Sequence, residues 1–107
     1  MRELGTILQK INEATERYEV CELGNTHTQS EILRDVSTAL HFLVAHRVAA
    51  NEAWMSVYFS SKANSSAAKE READFRVPEL YKIRHFMQTA SKVQDSLRST
   101  ISALKNG

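Results

Sequence analysis

Little in this 107-residue chain is of a type and spacing that could carry out catalysis or hold a metal ion. Its four histidines lie at no metal-ligand spacing from one another or from carboxylates, and His41 and His46 are too far apart around a helix to share a face. The single cysteine, Cys21, stands on an apolar stripe, which favours a packed thiol over a nucleophile. No glycine-rich phosphate loop or serine elbow is present. The sequence therefore predicts a protein that is not an enzyme, with no metal site and no cofactor.

One group of residues has the chemistry of a binding surface, because it mixes basic side chains with aromatic rings. It comprises Arg76, Tyr81, Lys82, Arg84, His85, Phe86, Lys92 and Arg98. Lysine and arginine neutralise phosphates, and exposed tyrosine or phenylalanine can stack on unpaired bases. An ordinary solvated helix face is the alternative interpretation of the same pattern.

The formal net charge of +1 conceals an uneven distribution. Residues 1–45 hold four basic and seven acidic residues, whereas residues 46–107 hold ten basic and six acidic ones. The basic half could attract the acidic half of another subunit, or it could bind a polyanion. Both interpretations remain open at this point.

The elements that must position these residues are helices. One proline and three glycines are too few to supply the turns of a sheet protein of this length. The pattern predicts a single all-α domain over residues 1–107, with helices over about 2–23, 29–59, 66–77 and 78–105. Thr28 and Glu31 form a capping-box pattern ahead of the second helix. Pro78 predicts either a kink in one long C-terminal helix or the first turn of a new one.

Each long helix carries apolar residues at alternating steps of three and four, as along the seam of a coiled coil. These stripes predict a long helical hairpin or coiled-coil-like bundle, part of it formed between chains in a homo-oligomer. Arg47 is the charged member of the second stripe, where a charge commonly fixes register or pairs with an acid. The predicted packing residues are Leu4, Ile7, Ile11, Leu33, Leu40, Leu43, Arg47, Trp54, Ile83, Leu97, Ile101 and Leu104.

The stretch from Ala49 to Lys105 resembles a family of small helical bacteriophage proteins, the UvsY-like recombination mediators. The resemblance rests on Ala50–Trp54, Tyr58, Lys62–Ala63, Ala68–Asp74 and Leu97–Leu104. It implies a homo-oligomer that binds single-stranded DNA and helps load a recombinase onto it. The resemblance also implies that Lys62, Lys69 and Arg71 lie nearest the nucleic-acid-binding segment.

Two functional hypotheses follow from these patterns. The first is a non-enzymatic, oligomeric phage accessory protein that binds single-stranded DNA in recombination or replication. The second is a small phage protein-interaction module that binds and inhibits a host or defence protein through its helical surfaces. No apolar run is long enough to span a membrane and no secretory signal is present, so the sequence predicts no membrane partner and a cytoplasmic location. The nucleic-acid candidates are Lys62, Lys69, Arg71, Arg76, Tyr81, Lys82, Arg84, Lys92 and Arg98.

Overall fold

The computed structural model describes residues 3–22 and 24–106, and the side chains of these residues as far as residue 104. The described residues form four helices and no strand, which confirms the all-α prediction. The predicted first-helix boundaries at residues 2 and 23 lie outside the described residues. The helices are α1 (Leu4–Val20), α2 (Thr26–Ser60), α3 (Ser66–Arg76) and α4 (Pro78–Asn106).

The second helix begins earlier than the capping-box pattern predicts. Asn25 is the N-cap, and its side-chain oxygen accepts a hydrogen bond from the Thr28 backbone amide at 3.2 Å. Thr28 therefore lies within the first turn of α2, and the prediction that it caps the helix is wrong. Asparagine is among the best N-cap residues, and Gly24 permits the turn before it by adopting a φ of 96°.

The junction between α3 and α4 resolves the two predictions made for Pro78. The chain leaves the helical conformation at Val77, whose φ and ψ are −128° and 62°, and Pro78 is the first residue of α4. Pro78 thus begins a new helix instead of bending a continuous one, because its fixed φ suits a first turn that requires no amide donor. Val77 itself is buried and joins the core at this corner.

The 35-residue helix α2 is the axis of the molecule. Helix α1 packs antiparallel to its first half, where Arg17 contacts Asp35. Helices α3 and α4 run antiparallel along its whole length, with Trp54 bonded to Asp74 and Ser37 bonded to Gln94. The result is an elongated body of 59 × 25 × 19 Å, with three helices side by side at one end and a hairpin at the other.

The core lies between α2 and the helices that cover it. The predicted packing residues Ile7, Ile11, Leu43, Ile83 and Leu97 are all fully buried. Leu4, Trp54 and Ile101 are half-buried, whereas Leu104 is mostly outside the core, at 45% exposed.

On α2 the buried face differs from the predicted stripe. Ile32, Val36, Ala39, Leu43 and Ala50 are its buried apolar members. Of the predicted residues, Leu33 and Leu40 pack only at the edge of this core, and Arg47 is exposed. The prediction that Arg47 lies in the packing seam is therefore wrong within the chain. Helix α2 has neighbours on two sides, so its buried face points between them.

Candidate nucleic-acid interface

The outward surface of α4 carries the basic and aromatic residues that the sequence grouped together. Tyr81, Lys82, Arg84, Lys92 and Arg98 are all exposed, and Tyr81 keeps 79% of its surface accessible. Helix α4 contains five basic residues and two acidic ones, Glu79 and Asp95. It therefore presents a surface with a net positive charge, because its apolar side packs on α2 and leaves the polar side in water.

Ion pairs divide the basic residues of the molecule into two classes. The guanidinium of Arg17 lies 2.8 Å from Asp35, that of Arg34 lies 3.9 Å from the same carboxylate, and that of Arg76 lies 3.5 Å from Glu72. These three arginines form the first class, in which an ion pair compensates the charge. In the second class, no carboxylate among the described residues lies within 4 Å of the basic group. The second class includes Arg47 on α2 and four exposed residues on α4, which are Lys82, Arg84, Lys92 and Arg98.

The basic residues of α4 occupy more than one face of the helix. Arg84 and Arg98 are separated by 14 positions, about four turns, and so lie on the same side of α4. Lys82 is two positions before Arg84 and so points to a different side. The basic residues of α4 thus form a half-cylinder around the helix and are not a single compact patch.

A shallow groove between α2 and α4 brings two arginines together. Its lining residues are Arg47, Asn51, Arg84, Met87, Gln88 and Ser91. Arg84 donates a hydrogen bond to the side-chain oxygen of Asn51 at 3.4 Å. Sequence reasoning missed the contribution of Arg47 and Asn51 to this surface, because they belong to a different helix from Arg84 and only tertiary packing joins them.

The candidate residues nearer the α2–α3 turn are distributed differently. Lys69 is half-buried, with its ammonium 5.9 Å from the centre of the Tyr58 ring, which in turn stacks on Trp54. Arg71 is exposed and donates to the Ala67 carbonyl oxygen, and Lys62 is exposed in the turn itself. Lys69 thus has a packing role, and Lys62 and Arg71 lie at the hairpin end of the molecule, apart from Arg98.

Helix α3 is held against α2 by polar contacts from two sides. The Trp54 indole N–H donates to Asp74 at 2.8 Å, and the Ser61 hydroxyl donates to Glu72. Arg76 is bound to the same Glu72 carboxylate. Of the nine candidate residues, Arg76 is the one whose charge is already compensated by an ion pair.

The histidines include one contact that sequence reasoning missed. The His27 Nε2 atom lies 3.0 Å from the Glu31 carboxylate, and the i,i+4 spacing of the two residues was the available signal. Arg17 approaches the same carboxylate at 3.5 Å. Within the described residues, no three histidine, cysteine or acidic side chains are grouped as a metal ion would require. Cys21 is half-buried just after α1.

A second cavity lies between α1 and α2. Its wall contains basic and acidic side chains together, including the Arg17–Asp35 pair, along with apolar residues such as Ile7 and Phe42. Its two basic residues, Lys10 and Arg17, are balanced by the two acidic residues Glu13 and Asp35, so this cavity lacks the net positive charge of the α2–α4 groove. We therefore regard the groove and the adjoining surface of α4 as the candidate site.

None of the described helices combines the length and the hydropathy needed to cross a bilayer. The chain matches no protein-family model, no curated protein and no solved structure.

Proposed function

We propose that this protein is a non-enzymatic accessory protein that binds single-stranded DNA along α4. The observation that carries the proposal is the set of exposed cations on α4 that have no ion pair among the described residues, together with the exposed ring of Tyr81. In the proposed complex the cations neutralise backbone phosphates and Tyr81 stacks on a base. No covalent chemistry is involved.

The spread of the cations suits a flexible strand. Residues 81–98 extend over about 25 Å of helix, because each residue advances the helix by about 1.5 Å. A single strand can follow such a surface and expose its bases in turn to Tyr81. Phe75, 86% exposed just before the α3–α4 corner, offers a second ring near the same end of α4.

The proposal includes self-association, which would repeat this modest surface and strengthen binding through multivalency. Four large apolar side chains, Val44, Val48, Met55 and Phe59, remain exposed along α2. Their spacings of four, seven and four residues align them on one face of the helix. We assign this stripe to a second copy of the chain, because the acidic first half and the basic second half are complementary in charge.

The biological setting of the proposal rests on the resemblance to the UvsY-like mediators. By that analogy the protein would act in bacteriophage recombination or replication, in the cytoplasm of the host cell. Lys62 and Arg71 would then extend the DNA-binding surface toward the hairpin end.

The test is a titration of a fluorescently labelled single-stranded oligonucleotide, monitored by anisotropy at several salt concentrations. We expect measurable binding at low salt that weakens steeply as salt rises, because counterions are released from each neutralised phosphate. Replacing Lys92 and Arg98 with glutamate should reduce the affinity by at least tenfold. The matched control is Lys10→Glu, since Lys10 is also exposed but lies on α1. Absence of binding at low salt would end the proposal.

A second candidate function is supported by the same exposed stripe on α2. A face bearing Val44, Val48, Met55 and Phe59 could instead bind a different protein, as in a module that inhibits a host or defence factor. The two candidates differ in their response to salt, because burial of apolar surface is much less sensitive to ionic strength than phosphate binding. A chain that is monomeric and does not bind oligonucleotide would favour this second candidate.

A further inference from the structure

The two arginines of the α2–α4 groove come from different helices and have an incomplete set of partners. Arg47 has neither an ion pair nor a side-chain hydrogen bond among the described residues, and Arg84 has only its bond to Asn51. Each guanidinium carries five N–H donors, so most of the donors at the groove are not used within the protein. Two cations that line one groove, with no carboxylate among its described lining residues, form a site that favours an anion.

The other residues of the groove fit the same ligand. Asn51 and Gln88 add amide groups and Ser91 adds a hydroxyl, while the half-buried Met87 supplies an apolar wall. No acidic residue is among the described residues that line this groove. A phosphate group suits these donors best, because its tetrahedral oxygens can accept from guanidinium forks on two sides and from neutral donors between them.

We propose that the Arg47–Arg84 groove is a dedicated site for one backbone phosphate of the bound strand. The inference rests on the proposed function and deepens it. It assigns one phosphate to a contact of defined geometry with Arg47 and Arg84, in addition to the general electrostatic attraction between the cations of α4 and the DNA backbone. Asn51 positions Arg84 through the 3.4 Å hydrogen bond. Ser91 and Arg98 follow Arg84 at intervals of seven residues on the same side of α4, so a strand leaving the groove would pass the exposed Asp95 and continue toward Arg98.

The first experiment keeps every charge and changes only the geometry of the donors. We expect the double variant Arg47→Lys and Arg84→Lys to bind a labelled single strand about fivefold to tenfold more weakly, because lysine cannot form the planar two-pronged contact. The matched control is Arg34→Lys, since Arg34 is an exposed arginine of α2 outside the groove and should leave the affinity unchanged. If the double variant binds as tightly as the wild-type protein, the groove is not a dedicated phosphate site, although the proposed function would stand.

The second experiment uses NMR to follow the side-chain amide signals of Asn51 and Gln88. The probe is an abasic oligonucleotide, which retains the phosphodiester backbone and lacks the bases. We expect both signals to shift in the wild-type protein and to shift much less in the double variant. Poly-glutamate, which offers carboxylates alone, should shift them little.

The two experiments separate failure of this inference from failure of the proposed function. Shifts at the groove with abasic probe, but no binding of a normal strand, would contradict the proposed function and retain an anion site. Equal shifts with poly-glutamate would overturn the assignment to phosphate and indicate an acidic protein partner. No shift with either probe would overturn the site itself.

Discussion

At the scale of single residues, two glutamines in or beside the core differ in whether their side chains have a hydrogen-bond partner. Gln29 is only 3% exposed, and its side-chain oxygen has no hydrogen-bond partner among the described residues. Gln94 is half-buried on α4 and donates to the Ser37 hydroxyl at 2.8 Å. A buried polar atom without a partner costs stability, whereas a satisfied pair contributes to it.

The same substitution should therefore have opposite effects at the two positions. Gln29→Met removes an unsatisfied oxygen with little change in volume, and we expect it to raise the free energy of unfolding by about 1 kcal/mol. Gln94→Met leaves Ser37 without its partner and should lower that free energy by about 1 kcal/mol. Thermal or urea unfolding monitored by circular dichroism measures both changes. A loss of stability in Gln29→Met would show that the glutamine is satisfied.

At the scale of the helices, the starts of α2 and α3 are set by side-chain caps. Asn25 accepts from the Thr28 amide, and Ser65 accepts from the Ala68 amide at 3.1 Å. Each bond satisfies one of the amide groups that have no partner within the helix. The start of the 35-residue α2 matters most, because that helix carries the contacts of the other three.

The start of α2 leads to a prediction that distinguishes the Asn25 N-cap of the structure from the Thr28–Glu31 capping box expected from the sequence. We expect Asn25→Ala to lower the free energy of unfolding by about 1 kcal/mol, through loss of the N-cap bond. Thr28→Ala should have a much smaller effect, because the structure uses the Thr28 backbone amide and not its side chain as a cap. Urea unfolding of the two variants makes the comparison. The reverse order of effects would restore the capping box of Thr28 and Glu31.

At the scale of the whole molecule, elongation determines how much apolar surface remains uncovered. The radius of gyration is 17.6 Å, compared with about 13 Å expected for a compact domain of similar length. Helix α1 has 17 residues and α2 has 35, so α1 can cover only about half of α2. The exposed stripe that includes Val48 and Met55 lies partly on the half of α2 that α1 does not reach.

This uncovered surface leads to a prediction about assembly. We expect light scattering after size exclusion to give a mass above the 12.1 kDa of one chain. The double variant Val48→Glu and Met55→Glu should reduce that mass to one chain, because burying a carboxylate in an apolar contact is costly.

The control for this assembly prediction is Val20→Glu. Val20 is 82% exposed but lies at the end of α1, away from the stripe. We expect this variant to assemble as the wild-type protein does. A wild-type chain that elutes as a monomer at tens of micromolar would contradict the assignment of the stripe to a second copy. Binding of the single strand to the monomeric double variant would show that each chain contains a complete site.

The periodicity of the amino-acid sequence was sufficient to predict the all-helical fold and part of the core on α1 and α4. Ile7, Ile11, Ile83 and Leu97 are buried as predicted, because each of those helices packs with one face and the apolar residues mark that face. The break between the second and third helices was also predicted, since residues 60–65 lie between the predicted helices 29–59 and 66–77. At Pro78 the sequence left a kink and a new helix both open, because the missing amide of proline is compatible with either, and the structure contains the new helix.

Tertiary structure alone decided the features that depend on how the helices pack against one another. Which residues of α2 are buried depends on the directions from which α1 and α4 approach, so Leu33 and Leu40 lie at the edge and Arg47 is exposed. Ion pairs between helices also depend on packing, which places Asp35 of α2 beside Arg17 of α1 but leaves Arg84 beside Arg47, whereas the Glu72–Arg76 pair joins residues four positions apart within α3. The sequence by itself determined that the C-terminal half is basic. The juxtaposition of two helices determined where that charge forms a site, because charge is carried by single residues and a groove requires two surfaces.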